Sequence, residues 1–310
     1  MHCKLSIIVP VFNSYTIMPQ LLEIIEKEKI INNWILELIL VDDGSTDNSF
    51  EKIKSLALKY NYIKGIKLSR NFGHQIAVRT GLKYAKGDYI AIIDDDLQDP
   101  PELIQHFINV SSKGYDVVYG VRKKRKEHII KKISYYMFYR LLNKISKINI
   151  PLDTGDFCLM NKQVVEKMLL FNEKNIYLRG IRAWIGFKQI GIEYERNARE
   201  IGKSGYSFKK LLKIAKDGIF SFSNLPLRLI TFLGQFGLLL AIIYTLYILY
   251  SLTYNNIPVK GFSTITILIS IFSSLILICL GIIGEYISRI YDEVKQRPHS
   301  IISTKLRIDE

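Results

Sequence analysis

Residues 89–102 read YIAIIDDDLQDPPE, an apolar run that ends in three consecutive aspartates and then a double proline. The segment YIAIID (89–94) has the β-branched and aromatic texture of a buried strand. Pro100, Pro101 and Glu102 open a helical pattern, because proline suits the first helical turn, where its missing N–H is not needed. Adjacent like charges repel, so the aspartates either splay into solvent or share a cation. In extended geometry Asp94 and Asp96 lie on one side and Asp95 on the other.

The same texture recurs on either side. Short apolar runs stand at LSIIVPV (5–11), LELILV (36–41), IKGIKL (63–68) and DVVYGV (116–121). Between them lie the helical patterns MPQLLEIIEKEKI, SFEKIKSLALKY, HQIAVRTGLKYA and PELIQHFINVSSK. Strands alternating with helices at this spacing predict an α/β fold with a parallel sheet covered on both faces. Ligands of such sheets bind beyond the carboxyl ends of the strands. Three polar clusters fall there, Asn13-Ser14, DDGSTD (42–47) and DDDLQD (94–99), so one crevice collects them all. Two carboxylates on one side ligate Mg²⁺ or Mn²⁺ when waters and substrate phosphates complete the shell. The D-x-D pair therefore points to a metal-bound diphosphate, with an acidic solvent loop as the alternative.

The chain has 310 residues, 48% of them hydrophobic and 23% charged, a mixture expected of a polar domain joined to an apolar one. Its formal net charge is +14, and ten Lys or Arg against one Glu fall within residues 122–147. Such a surplus suits nucleic acid, anionic lipid or phosphorylated substrates. Within KEHIIKKISYYMFYRLLNKISKI (126–148) the apolar residues recur at helical steps, as in a basic helix lying in a membrane interface or packed on a sheet. A second basic and apolar stretch spans 206–222. Two segments without central charges follow, at 227–252 and 263–287, each long enough to cross roughly 30 Å of hydrocarbon. Their flanking basic residues place both the large domain and the tail at 288–310 in the cytoplasm. The interleaved apolar residues and the neighbouring spans argue against nucleic acid. Cys3, Cys158 and Cys279 are scattered and read as reduced thiols. The apolar run near the N-terminus is too short for a signal peptide, so residue 1 is expected to begin the fold.

The segments IIVPVFNS, VDDGSTDNS, NFGHQIAVRTGL, DDDLQDPPE, DTGDFCLMN and FSNLPLRL, followed by two spans, together resemble glycosyltransferase family 2. More narrowly they are similar to bacterial polyprenyl-phosphate glycosyltransferases and to dolichyl-phosphate mannose synthase. The resemblance implies a Rossmann-like GT-A catalytic domain over 1–225, interfacial helices at 126–148 and 206–222, and two transmembrane helices. It implies inverting transfer of a sugar, glucose by default, from a nucleotide sugar (UDP- or GDP-linked) to a polyprenyl phosphate at the cell membrane. N-acetylhexosamines, mannose or a modified amino sugar are the alternatives, and a homo-oligomer stays open. Pro10, Phe12 and Asp42 would line the base pocket, with Asp43 and Asp95 grouped in the donor site. Asp94 and Asp96, with Gln98 beside them, would hold Mg²⁺ or Mn²⁺ on the diphosphate. Asp156 matches the proposed catalytic base, and Arg122, Arg125, Arg199, Lys203, Ser204 and Tyr206 would face the acceptor phosphate.

Two departures stand out. Asp95 replaces the small residue common between the motif aspartates, and no chemical role of its own follows for it. GKSGY (202–206) displaces the lysine of the usual G-x-S-K-Y. It is not a P-loop, because Asn197 stands where the first glycine must be. A processive polysaccharide synthase would carry more spans and Q-x-x-R-W, a frame that R-A-W (182–184) lacks. A binding protein that has lost catalysis would not be expected to keep Asp94, Asp96 and Asp156.

Overall fold

The computed structural model describes residues 4–122, 154–174, 176–195, 225–254 and 261–308. The expected interfacial helices at 126–148 and 206–222, and with them Arg125, Arg199, Lys203, Ser204 and Tyr206, lie outside these residues.

Eight strands form one sheet: β1 (Lys4–Val11), β2 (Ile35–Asp42), β3 (Ile63–Leu68), β4 (Tyr89–Ile92), β5 (Val117–Arg122), β6 (Thr154–Asn161), β7 (Gln189–Tyr194) and β8 (Ile302–Leu306). Their order is β7-β5-β6-β4-β1-β2-β3-β8. β1 pairs in parallel with β2 and β4, and β2 with β3, which gives the α/β core the sequence predicts. β6 lies antiparallel between β4 and β5, and β7 returns parallel to β5.

The apolar runs have no polar alternation because the central strands are covered on both sides. Leu5, Ile7, Val9, Leu38 and Leu40 point into one core, covered by α1 (Met18–Asn32), α2 (Ser49–Lys59) and α4 (Leu103–Ser111). Ile8, Ile39 and Val41 point into the other, covered by α3 (His74–Tyr84), α5 (Lys162–Leu169) and α6 (Leu178–Trp184). Each fully buried Leu, Ile or Phe contributes about 1.5–3 kcal/mol relative to exposure. Two such layers fix the register and hence the level at which every strand ends.

Two outcomes depart from the sequence reading. The strand at 89–94 ends at Ile92, although the Ile93 N–H still donates to the Ile8 carbonyl at 3.1 Å. Beyond it the aspartates lie in a turn with Leu97 at φ 58°, so strand alternation does not set their directions. Secondly, residues 302–306, expected as part of a tail, form the edge strand β8, antiparallel to β3 with Gly65 opposite Leu306. Flanking bonds hold it there, from the Ser69 N–H to the Ile301 carbonyl at 2.8 Å and between Thr80 Oγ1 and Ser300 Oγ at 2.9 Å. Its five residues, ISTKL, are too few and too polar to stand out as a buried strand in the sequence.

Residues 4–122, 154–174, 176–195 and 297–308 belong to one compact unit. A second contains α7 (Leu225–Tyr254) and α8 (Phe262–Val294). Among the described residues one helix is long and apolar enough to cross a membrane, the Ile271–Val294 part of α8, with 24 residues, a mean hydropathy of 2.0 and no buried share. The apolar part of α7, Phe232–Tyr247, is shorter.

Candidate active site

The carboxyl ends of β1, β2 and β4 meet where the sequence expects a crevice, and side chains lace their loops together. Asn13, at φ 54°, accepts the Thr46 N–H on Oδ1 at 2.9 Å, and its own N–H donates to Ser45 Oγ at 3.0 Å. Gly44, at φ +69°, lets this loop pass the backbone of Arg70, whose carbonyl carbon would lie 2.4 Å from a Cβ there. Pro10 is buried in β1 opposite Val41, whereas Phe12 is 47% exposed at the mouth.

Asp42 and Asp43 end β2 with different duties. Asp43 accepts the Phe72 N–H at 2.7 Å on one oxygen and the Gly73 N–H at 2.9 Å on the other. It therefore braces the turn before α3 with both oxygens. Asp42 is fully buried and accepts the Ser45 N–H on Oδ1 at 3.2 Å, while its Oδ2 has no hydrogen-bond partner. Burial raises the pKa of both carboxyls, against the bonds they accept. An orphaned buried carboxylate oxygen costs about 1–3 kcal/mol unless a ligand supplies a donor.

The three aspartates of the opening motif take three environments. Asp94 Oδ1 lies 2.9 Å from His74 Nε2. Asp96 accepts the Gln98 N–H of its own turn at 3.2 Å. Asp95 accepts the Ser14 hydroxyl and, at 3.4 Å, the Phe12 N–H. It ties the β4 turn to the loop after β1. Burial, reinforced by Asp94 and Asp96, pushes its carboxyl up to about 6 despite those two bonds.

Asp156 enters from β6. It lies two residues before Cys158, which pairs with Ile92 at the end of β4. Gln75 Nε2 donates to its Oδ2 at 2.8 Å, His74 Nδ1 lies 3.6 Å from the same oxygen, and Arg179 Nε lies 3.3 Å from Oδ1. His74 thus stands between Asp94 and Asp156. Desolvation pulls its imidazole down, but the bond to Asp94 and the charges of Asp94, Asp156 and Asp95 outweigh this and hold it at about 9.

Arg122, at the end of β5, rests on Gly155, where a Cβ would lie 2.6 Å from Nη2. Its guanidinium bonds to the Tyr194 hydroxyl, which donates to the buried Asp99 at 2.6 Å. Of the residues expected from the sequence, the structure gathers Pro10, Phe12, Asp42, Asp94, Asp95, Asp96, Gln98, Asp156 and Arg122 around the strand ends. To these the structure adds His74, Gln75, Arg179 and Tyr194. The pair His74-Gln75 directly after Gly73 at φ +105° was the available signal, two polar side chains projecting from the start of a helix at the crevice. Among the described residues no group of three or more His, Cys, Asp and Glu is placed to hold a metal ion by itself.

Residues 6–169 match the family described as Glycosyl transferase family 2. An uncharacterized glycosyltransferase of Bacillus subtilis, YkcC, is 43% identical over 99% of this chain and 96% of its own length. The SfII prophage-derived bactoprenol glucosyl transferase of Shigella flexneri is 37% identical over 98% of this chain and 99% of its own. Among solved structures, the mannosyltransferase PcManGT of Pyrobaculum calidifontis, in complex with GDP-Man and Mn²⁺, superposes with a TM-score of 0.50. It is 17% identical, with 70% of this chain and 61% of that one covered, and so shares the GT-A fold.

Proposed function

The chain belongs to glycosyl transferase family 2, and from that premise we propose that it transfers a hexose, glucose in the first instance, from a nucleotide sugar to a polyprenyl phosphate. The observation that carries this reading is the convergence of Asp42, Asp94, Asp96 and Asp156 at the ends of β2, β4 and β6. The names of relatives matched over nearly their whole length, among them the Shigella flexneri bactoprenol glucosyl transferase, support the acceptor.

In this reaction an oxygen of the lipid phosphate bonds to the anomeric carbon as the bond from that carbon to the donor diphosphate breaks. The electron pair leaves with the nucleoside diphosphate, and one displacement inverts the centre. A phosphomonoester is already largely ionised at neutral pH, its second pKa lying near 6 by analogy with phosphorylated side chains. A strong base is therefore unnecessary, and Asp156, bonded by Gln75 with Arg179 and His74 close by, suits a carboxylate that orients the acceptor and stabilises positive charge on the sugar. Asp42 Oδ2 would accept from the nucleobase. Asp94 and Asp96, with Gln98, offer the two carboxylates that Mg²⁺ or Mn²⁺ takes when waters and substrate phosphates fill its remaining positions. A cation held there would offset charge developing on the departing diphosphate. Arg122, beside Asp156, would meet the acceptor phosphate.

The membrane reading, with α7 and α8 as two crossings, draws support from topology. Strands β1 to β7 and β8 share one sheet, so the chain that leaves before α7 returns to the same side after α8. An odd number of crossings is incompatible with that sheet. Two crossings by α7 and α8 accord with this, and the exposed apolar surface of both helices (Leu239, Ile243, Leu246, Ile276, Leu277, Leu280) favours lipid around them. The catalytic unit and β8 would then both face the cytoplasm.

Purified full-length protein incubated with undecaprenyl phosphate and a panel of UDP- and GDP-sugars, with and without EDTA, tests the reading. The expected products are a mono-glycosylated lipid and free nucleoside diphosphate, formed only in the absence of EDTA. No glycolipid from any donor overturns the reaction.

A further inference from the structure

We infer that Gln75 is the positioning residue that holds Asp156 in its working orientation, a role that rests on the sugar transfer proposed above. The Gln75 side chain is used at both ends. Nε2 donates to Asp156 Oδ2 at 2.8 Å, and Oε1 accepts the Leu178 N–H at 3.0 Å. That N–H belongs to the first residue of α6, which has no side-chain cap of its own and whose first-turn donors lack intrahelical partners. One amide therefore fastens three elements: α3, which carries it; β6, which carries Asp156; and α6, which carries Arg179.

The amide also fixes a direction that charge alone leaves open. A carboxylate facing a guanidinium and an imidazole is attracted to both and can rotate between them. Arg179 Nε stands 3.3 Å from Oδ1, and His74 Nδ1 3.6 Å from Oδ2, both longer than the Gln75 bond. The short contact to Oδ2 comes from a neutral donor whose other end is tied to backbone, so it pins the plane of the carboxylate. Arg179, one residue beyond Leu178, is held at Oδ1 by the same anchor. Glutamine is the residue that does this, because its amide supplies a donor and an acceptor side by side. Glutamate retains the acceptor for Leu178 but turns a second negative oxygen toward Asp156.

The difference gives the test. In the full-length protein, assayed with undecaprenyl phosphate and whichever nucleotide sugar the wild-type protein uses, Gln75→Glu is expected to lower kcat on the order of 10²-fold, the cost of a reacting group misplaced by about 1 Å. The KM for the nucleotide sugar stays near wild type, and any fall in Tm is expected to come from repulsion of Asp156 and so to disappear in an Asp156→Asn background, because the anchor to Leu178 is kept. Gln75→Leu loses both bonds and is expected to lower kcat similarly and Tm as well. In an Asp156→Asn background, Gln75→Glu adds at most about threefold, since a residue acting through Asp156 has nothing further to misplace. Losses that multiply in the double variant, or a Gln75→Glu enzyme with wild-type kcat, overturn the role while leaving the reaction standing. A fall in Tm for Gln75→Glu that persists unchanged in the Asp156→Asn background also overturns it, since the side chain would then serve the fold alone. Absence of transfer by the wild-type protein removes the reaction and the role together.

Discussion

Gly155→Ala tests whether Arg122 works where the structure places it. A Cβ at this position would lie 2.6 Å from Arg122 Nη2, 3.3 Å from Cζ and 3.5 Å from Nε. Ordinary contact begins near 3.4 Å, so Nη2 must retreat by about 0.8 Å, the difference between those two distances. A guanidinium is the far end of a flexible side chain, and the retreat is mechanically easy. It is not electrostatically easy, because it strains the bond to the Tyr194 hydroxyl, which is itself held by Asp99 at 2.6 Å. A hydrogen bond to a charged group contributes about 1.5–3 kcal/mol. Loss of it lowers Tm by roughly 3–12 °C at about 2–4 °C per kcal/mol for a domain of this size. If Arg122 meets the acceptor phosphate, a displacement near 1 Å costs on the order of 10²-fold in kcat/KM for the lipid. The KM for the nucleotide sugar stays close to wild type. The assay titrates undecaprenyl phosphate and nucleotide sugar separately in detergent, with Tm recorded on the same preparations. Equal losses toward both substrates would show that the variant damages the crevice generally. Wild-type kinetics together with a lowered Tm would remove Arg122 from the acceptor site.

Asp96→Asn is expected to abolish turnover while Tm and membrane association stay near wild type; near-normal rates in Mg²⁺ or Mn²⁺ would refute its part in metal binding. Asp42→Asn removes the charge behind the orphaned Oδ2 and is expected to raise the donor KM roughly 10- to 100-fold, the equivalent of about 1.5–3 kcal/mol. An unchanged donor KM, measured at saturating lipid, would mean that the base is held elsewhere. Deleting residues 297–310 removes β8 and exposes the edge of β3. The truncated chain is expected to aggregate or to melt well below the full-length protein in a thermal-shift measurement, and full activity with an unchanged Tm would reduce β8 to a dispensable tail.

What was legible in the sequence was what periodicity and composition encode. β1 to β5 are apolar runs bounded by polar turns, and each begins and ends within two residues of its expected position. β6, β7 and β8 were not read as strands, for different reasons. TGDFCLMN carries, after its first residue, a glycine and an aspartate that lie against Arg122 and in the site, and QIGIEY is half covered, with a glycine under Tyr119. β8 is separated from its partner β3 by more than 230 residues of chain, a distance over which local pattern says nothing. The site shows the same division. Asp42, Asp94 and Asp96 were visible because carboxylates at strand ends need a partner, and Asp156 only through the family resemblance, whereas Gln75 and Tyr194 act through neighbours that folding supplies. The tie between Asp95 and Ser14 is invisible in the sequence because the two residues lie 81 positions apart.

The acidity of the crevice then acquires an order that the sequence conceals. Seven aspartates, Asp42, Asp43, Asp94, Asp95, Asp96, Asp99 and Asp156, gather around the ends of β1, β2 and β4. Those that serve the fold are met by groups that cannot leave, the backbone N–H groups of Phe72 and Gly73 for Asp43 and the buried Tyr194 for Asp99. Asp95 belongs with them, since releasing Ser14 would open the loop that carries Phe12. Asp94 is met instead by an imidazole with 41% of its side chain exposed, a partner that rotates away without breaking a strand or a helix. Asp42 keeps a buried oxygen with no partner at all. A carboxylate whose partner is fixed is worth more to stability than to binding, because exchanging that partner for a ligand returns no net hydrogen bond. One whose partner is movable or missing gains from the ligand in full. By that criterion Asp42 and Asp94 are carboxylates that gain from a bound donor, in keeping with the roles proposed for them, while Asp43 and Asp95 hold the loops around them.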